Sequence, residues 1–358
     1  MKTRFIPLLL AVTTTAALVA CSDDTSGTTA GRSGSSGAAS GADSASGADS
    51  ASFPVTFTSP FGTTTVESRP QRVVALGWSD QAVATELGAD VVMAPQTYSS
   101  IGGGGSGAAG GDGQDGTAQD RMLPYLHPDT EPVWFNPMSI DVEAVAGQKP
   151  DIILATSAFT IDQDTYDKLS AVAPVVTYDR QLYAASPEDS ALRIGEALGE
   201  PEKAGQLVDR AHRAVEELTA ALPGLKDRSY VYGQYRGTSI AAVTDSDNAT
   251  ARFMSTLGLV PAPEVAGIDA KGRTPGTVDL SMENIDLVDS ADLLFMTFQS
   301  DDDRRSFEDS ATVKRLTVME DRYTALDKET ATALQDPNVV SVPWLIEQLR
   351  PALEKVGH

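Results

Sequence analysis

The sequence predicts an α/β fold in which two lobes are bridged by a single long helix. Short apolar segments alternate with segments of helical periodicity in residues 72–178, and the alternation restarts after residue 224. A long helical stretch at 186–222 lies between the two regions. Alternation of this kind is typical of Rossmann-like sheets, with parallel strands and helices on their faces. We therefore expect each region to fold as one lobe.

The first lobe is predicted to contain four strands and three helices. We expect strands at 72–77, 89–95, 151–156 and 174–178, and helices through 82–87, 140–148 and 162–172. Residues 78–81 are assigned to a loop between the first strand and the first helix. The pair Lys149-Pro150 should end the second helix, because proline disfavours helical geometry at the residue before it.

The bridging stretch has a clear start. The motif Ser-Pro-Glu-Asp at 186–189 combines a capping serine, a proline in the first turn and two acids near the positive end of a helix. An interruption is expected around 199–201, after which the helix resumes. The second lobe then has predicted strands at 230–233, 240–243 and 291–296, and helices at 252–257, 282–288, around 313–316 and at 343–355.

The first fifty residues indicate export and attachment to a membrane. The charged residues Lys2 and Arg4 precede the apolar segment 5–20, and Cys21 follows at a small-residue cleavage point. The segment is too short and too interrupted by threonines for a span of ~20 apolar residues. It is typical of a signal peptide (1–20) that is removed before a lipidated Cys21. Residues 21–52 then form a flexible tether rich in Ser, Gly, Ala and Asp.

Composition excludes several classes of partner. The formal net charge of −23 argues against nucleic-acid binding and against adhesion to anionic lipid. One cysteine and three histidines argue against a disulfide framework and a direct transition-metal site. We therefore expect no cofactor, and we assign His212 to a solvated helix position.

The folded part is long enough for two domains of ordinary size. The predicted boundaries are 53–185 for the N-terminal lobe, 186–222 for the linking helical segment and 223–358 for the C-terminal lobe. A glycine-rich insertion at 102–120 has no place in this scheme. Its G-x-G-x-x-G pattern lacks the preceding strand and the following helix that a dinucleotide-binding site requires. We therefore do not predict dinucleotide binding.

Six segments carry a family pattern. They are 69–77 (RPQRVVALG), 141–155 (DVEAVAGQKPDIILA), 166–176 (YDKLSAVAPVV), 257–259 (LGL), 281–285 (SMENI) and 291–295 (ADLLF). Together they resemble the iron-siderophore and cobalamin branch of the periplasmic binding proteins, over nearly all of the folded part. The resemblance implies two lobes that close slightly around a ligand cleft. It also implies an extracytoplasmic lipoprotein that captures a ferric siderophore for the permease of an ABC importer.

The resemblance further implies two contacts with the permease. In such proteins one acid on each lobe, at the start of a helix near the cleft rim, docks onto permease arginines. Glu143 and Glu283 match these positions. Both acids would also favour a helix N-terminus without any partner, and this alternative stays open. We expect the protein to be a monomer.

Ligands of such folds lie at the carboxyl ends of the strands. The ligand-binding residues predicted on this basis are Trp78, Tyr98, Trp134, Phe159, Tyr183, Tyr235, Arg236 and Phe298. Aromatic side chains suit a large, partly apolar chelate. The guanidinium of Arg236 suits catecholate, hydroxamate or carboxylate oxygens. Trp78 and Phe159 could instead be core residues, and Arg236 a surface charge.

Other functions stay open at this point. The same fold could bind haem, which needs an axial tyrosine or histidine, or a corrinoid. A secreted α/β hydrolase is a distant alternative, since no G-x-S-x-G motif or persuasive catalytic triad is present. A structural lipoprotein would have no closed cleft. We predict a binding protein rather than an enzyme.

Overall fold

The computed structural model of the protein describes residues 53–97, 121–182, 185–269, 271–272 and 276–358. Cys21, Tyr98, Tyr183 and the glycine-rich insertion lie outside these ranges. Within them, no helix combines the length and the apolar character needed to cross a membrane.

The first lobe is built on a sheet of five parallel strands. An antiparallel hairpin of β1 (Val55–Ser59) and β2 (Gly62–Val66) precedes it. The sheet strands are β3 (Arg72–Ala75), β4 (Asp90–Pro95), β5 (Val133–Phe135), β6 (Ile152–Ala155) and β7 (Val175–Thr177), in the order β5-β4-β3-β6-β7. β6 is buried over its whole length, as expected for a central parallel strand covered on both faces. The sequence does not predict the hairpin, whose strands are short and rich in threonine.

Within the described ranges, three helices connect these strands: α1 (Trp78–Glu86), α2 (Val142–Gly147) and α3 (Gln163–Ser170). The loop predicted at 78–81 is wrong, because these residues form the first turn of α1 directly after the extended Gly77. The other two helices start at aspartate caps. Asp141 and Asp162 each accept the backbone N–H three residues further on, at 3.0 and 2.8 Å.

Two helices follow the first sheet. α4 (Pro187–Leu198) begins at the predicted cap, where the hydroxyl of Ser186 accepts the N–H of Asp189 at 3.0 Å. Its buried apolar residues belong to the core of the first lobe. Gly199 then turns the chain into α5 (Pro201–Ala221) with φ of 72°. This left-handed conformation is strained for residues other than glycine.

The helix α5 bridges the lobes. Its 21 residues span about 32 Å at 1.5 Å per residue. Ala204, Leu207 and Ala211 belong to the core of the first lobe, whereas Leu218 belongs to a core of the second. The predicted architecture of two lobes joined by one long helix is therefore confirmed.

The second lobe contains a mixed sheet of six strands. They are β8 (Ser229–Tyr235), β9 (Ser239–Val243), β10 (Val260–Pro261), β11 (Thr277–Ser281), β12 (Leu293–Thr297) and β13 (Tyr323–Ala325). The order is β11-β9-β8-β12-β13, with β10 beside β8, and β9 is antiparallel to both of its neighbours. Because β8, β12 and β13 are parallel, their carboxyl ends lie at one edge of the sheet.

Several helices, most of them short, surround this sheet. They are α6 (Ala249–Thr256), α7 (Pro263–Ala266), α8 (Asp301–Asp309), α9 (Val318–Asp321), α10 (Lys328–Gln335) and α11 (Ser341–Gly357), with 3-10 helices at Pro223–Leu225, Met282–Ser290 and Val313–Arg315. The helix predicted around 313–316 is thus only one 3-10 turn. The sequence does not predict α8, because Phe307 is its one buried residue and the apolar periodicity is missing.

The chain returns to the first lobe between α10 and α11. We call residues 336–340 the return segment. Val339 and Val340 pack in the core of the first lobe, and α11 then packs in the second. Asn338 shapes the turn, because its side-chain oxygen accepts the N–H groups of Val340 and Ser341, both at 3.1 Å. The return segment is a second structured connection between the lobes, beside α5.

Candidate functional site

A cavity of about 580 Å³ lies between the two lobes. On the first lobe it is lined by residues that follow β3, β6 and β7, among them Ser79, Thr156 and Tyr178. Residues of α4, α5, α6, the return segment and α11 complete the lining. The volume is within the range of small-molecule sites, about 300–1,000 Å³, and the position at carboxyl strand ends is the one expected for α/β sheets.

A buried carboxylate joins the lobes at this cavity. Asp336, in the return segment, accepts the backbone N–H of Ser79 at 3.0 Å and its hydroxyl at 2.9 Å. Ser79 is the second residue of α1, and Gly77 has no side chain to cap that helix. Asp336 therefore supplies the cap from the other end of the chain. The unpaired N–H groups of a helix start favour negative charge.

A second buried carboxylate lies on the same turn of α1. Asp80 accepts the N–H and the hydroxyl of Thr156 at 2.9 and 2.5 Å. Burial raises the pKa of Asp80, against the lowering effect of these hydrogen bonds. Burial also raises the pKa of Asp336 to about 6; the nearby Asp80 adds to this shift, and the hydrogen bonds from Ser79 oppose it.

Charged side chains from three helices line other parts of the cavity. Glu188 of α4 and His212 of α5 approach each other to 3.3 Å between Oε1 and Nε2. Asp189, Glu216 and Arg252 also contribute to the lining. The side chain of His212 is 55% exposed, as expected for a solvated position, but it faces the cavity. Within the described ranges, no group of three or more His, Cys, Asp or Glu residues is arranged to hold a metal ion.

Among the described residues, the predicted aromatic side chains of the first lobe, Trp78, Trp134 and Phe159, pack in or against its core and are not among those that line this cavity. Trp78 is 8% exposed, and its indole N–H donates to the carbonyl of Gln96 at 3.1 Å. The ring of Phe159 lies 6.2 Å from that of Trp78. Trp134 is half-buried and donates to Glu131 at 2.9 Å. In the first turn of α1, Trp78 therefore packs in the core, whereas the following residue, Ser79, lines the cavity.

The predicted residues of the second lobe lie at the carboxyl ends of β8 and β12. The ring of Tyr235 is 6.1 Å from that of Phe298. Arg236 lies 3.3 Å from the carboxylate of Asp279 and donates to Gln234 at 3.3 and 3.4 Å. Its positive charge is therefore already paired within the protein. None of these side chains is among the described residues that line the cavity.

Comparison with known proteins identifies the family. The model of the periplasmic binding protein family matches residues 112–324, more than half of the chain. The chain belongs to the periplasmic binding protein family. A periplasmic solute binding protein from Mycobacterium smegmatis is similar in structure, with 26% sequence identity, a TM-score of 0.68, and coverage of 85% of this chain and 99% of that chain.

Two further solved structures share the periplasmic binding protein fold. PiaA from Streptococcus pneumoniae, in complex with ferrichrome, is 18% identical with a TM-score of 0.63, covering 84% of this chain and 98% of its own. SirA from Staphylococcus aureus, complexed with staphyloferrin B, is 21% identical with a TM-score of 0.62, at the same two coverages of 84% and 98%.

Membership in this family confirms the predicted class of function. Its members are extracytoplasmic substrate-binding proteins of ABC transporters and are not enzymes. The prediction of a binding protein is therefore confirmed, and the hydrolase alternative has no support. The roles of the individual aromatic residues and of Arg236 stay predictions.

The polar lining of the cavity escapes prediction from the sequence. Asp336 follows α10, a helix that the sequence does not predict, and lies 257 positions from its partner Ser79. Thr156 and Ser157 carry a usable signal, since they directly follow a buried parallel strand. Small hydroxyl residues at such strand ends are site candidates as good as the aromatic residues nearby.

We expect protonation of Asp336 to affect stability. Its native pKa of about 6 lies above its ordinary value of 3.8, so the native state binds this proton more tightly than the unfolded chain. The stabilising contribution is fully present below the ordinary pKa and is lost as pH rises through about 6. Asp336→Asn keeps an acceptor for Ser79 and removes the titration.

Urea unfolding between about pH 4 and pH 8 measures this effect. The stability of Asp336→Asn relative to the parent should rise by roughly 2–3 kcal/mol from low to high pH, since one pKa unit corresponds to about 1.4 kcal/mol. Asp162→Asn is the control. The pKa of Asp162 is lowered below 3.8, so its stability difference should stay constant over this range. A constant difference for Asp336→Asn would contradict the assignment.

Proposed function

We propose that this periplasmic binding protein captures a ferric siderophore in the inter-lobe cavity and delivers it to the permease of an ABC importer. The observation that carries the proposal is the cavity of about 580 Å³ between the lobes. The fold is shared with complexes of ferrichrome and of staphyloferrin B. PiaA is itself an iron uptake ABC transporter substrate-binding protein.

The predicted ligand residues extend this proposal to the surroundings of the cavity. The described ones are Trp78, Trp134, Phe159, Tyr235, Arg236 and Phe298. All of these except Trp134, which lies within β5, are at or after the carboxyl end of a strand. Tyr98 and Tyr183 stay in the proposal from the sequence alone. Arg236 has five N–H donors, so it can donate to a ligand oxygen even though Asp279 neutralises its charge.

Titration of the purified protein tests the proposal. Ferric siderophores should quench its tryptophan fluorescence saturably, with a Kd of about 1 μM or lower, equivalent to roughly −8 kcal/mol. Haem and cobalamin are the comparison ligands. Tight haem binding without any siderophore binding would replace the proposal with the haem alternative, which requires an axial protein ligand.

Two exposed acids have suitable positions for docking onto the permease. Glu143 lies in the first turn of α2. This helix leads to the start of β6, so its own first turn lies near the carboxyl edge of the first sheet. Glu283 lies in the first turn of the 3-10 helix that follows β11. Because β11 and β8 are both antiparallel to β9, they run in the same direction, and the end of β11 lies at the same edge of the sheet as the end of β8. We propose that both acids contact permease arginines, one from each lobe.

Glu143→Ala should leave ligand affinity unchanged and reduce uptake. Exposed ion pairs contribute about 0.2–1 kcal/mol, so uptake should fall roughly 1.4- to 5-fold, as measured with iron-labelled siderophore in cells. Glu202→Ala removes an exposed first-turn acid from α5 and is the matched control. Normal uptake by Glu143→Ala cells would count against docking through this residue.

We further propose that the protein is a monomer held at the membrane by lipid on Cys21. A tether at 21–52 would give the lobes, at 53–185 and 223–358, access to the permease. Stable anchoring takes two acyl chains or more, because one chain gives only marginal binding.

Cys21→Ser tests the anchor. The variant should lose the mass of the attached lipid and move from the membrane fraction to the soluble fraction after cell lysis. Mass spectrometry and fractionation measure the two effects, with the parent chain as control. Retention of Cys21→Ser in the membrane fraction would show that another feature attaches the protein.

A further inference from the structure

Most of the charged side chains in the wall of the inter-lobe cavity are acidic. The lining carboxylates are those of Glu188, Asp189, Glu216 and Asp336. Among the described lining residues, Arg252 is the one side chain with a permanent positive charge, which leaves three formal negative charges while His212 is neutral. Protonation of both His212 and Asp336 would still leave the lining negative.

These acids do not form one local cluster in the sequence. Glu188 and Asp189 begin α4, Glu216 lies on α5, and Asp336 lies in the return segment. The fold brings the three elements to the same cavity. Electrostatic interactions are stronger in a partly enclosed site than in water, and the net charge of −23 adds a field of the same sign.

The arginine suited to an anionic ligand does not offset this field. Arg236 has 19% of its side chain exposed and is paired with Asp279 at 3.3 Å. Gln234 accepts two further hydrogen bonds from it. The Arg236–Asp279 pair contributes little net charge. An anionic chelate would therefore meet the acidic side chains of the cavity without a compensating positive charge at the end of β8.

Given siderophore capture as the function, we propose that the cavity selects uncharged or cationic ferric chelates, that is tris-hydroxamates, over anionic ones. Three hydroxamates carry three negative charges and neutralise Fe³⁺, and a pendant ammonium makes such a complex cationic. Catecholate and carboxylate chelates keep a net negative charge. Like charges across the cavity therefore act against them, which is selection by repulsion.

Fluorescence titration of the whole protein with three ferric chelates tests the selection. The probes are ferrioxamine B (cationic), ferrichrome (neutral) and ferric staphyloferrin B (anionic). Both hydroxamates should bind at least ten-fold more tightly than staphyloferrin B. Raising the salt concentration should weaken ferrioxamine B binding and strengthen staphyloferrin B binding, because ions screen both interactions.

A charge-removing variant locates the effect in the cavity. Glu216→Gln should weaken ferrioxamine B about three-fold more than ferrichrome and should strengthen staphyloferrin B. Glu347→Gln makes the same charge change at an exposed position on α11 that is not among the lining residues. It should alter all three affinities less than Glu216→Gln does.

The outcomes separate the two proposals. Equal or tighter binding of staphyloferrin B would overturn the charge selection and leave siderophore capture standing. Equal responses of Glu216→Gln and Glu347→Gln would also overturn it, because the cavity wall would then not be the cause. If neither hydroxamate binds, the charge selection fails. If ferrioxamine B, ferrichrome, staphyloferrin B and a ferric tris-catecholate all fail to bind, siderophore capture itself fails.

Discussion

The hydrogen bonds between Asp336 and the start of α1 join parts of the chain that lie at opposite ends of the sequence. A helix start leaves backbone N–H groups without partners, and each buried group left unpaired costs about 1–3 kcal/mol. A buried carboxylate without donors is also unstable. Each group therefore requires the other. Their pairing fixes the return segment against the first lobe, and with it one wall of the inter-lobe cavity.

Two structured connections limit how far the lobes can move. The helix α5 buries apolar residues in the cores of both lobes. The return segment and α11 form the second connection. Val339 and Val340 of the return segment pack in the core of the first lobe, and the helix α11 that follows packs in the second. Both connections therefore restrain the position of one lobe relative to the other. A site whose walls are restrained before binding loses little ordering entropy when a ligand binds.

Part of the negative charge of the cavity comes from acids that interact with helix starts. Glu188 and Asp189 lie in the first turn of α4, where acids interact favourably with the helix dipole. Asp336 caps α1 from the return segment. Because helix starts gather at the carboxyl edges of α/β sheets, acids that stabilise helices also collect around the inter-lobe cavity. Several carboxylates that interact with helix starts are therefore also charged side chains of the cavity wall.

The sequence by itself determined the elements whose signals are local. The buried run of β6, the serine cap of α4 and the apolar stripe of α5 all depend on residues a few positions apart, and together they specify two α/β lobes and a bridge. Only the tertiary structure decided what surrounds the cavity. The helix α1 starts at Trp78, but the residue that caps it is Asp336, which is 257 positions from its hydrogen-bond partner Ser79. The charge of Arg236 is neutralised by Asp279, which lies on β11, a strand that the sequence does not predict. Periodicity reports which face of an element is buried, whereas a site between lobes is made of contacts between residues far apart in the chain.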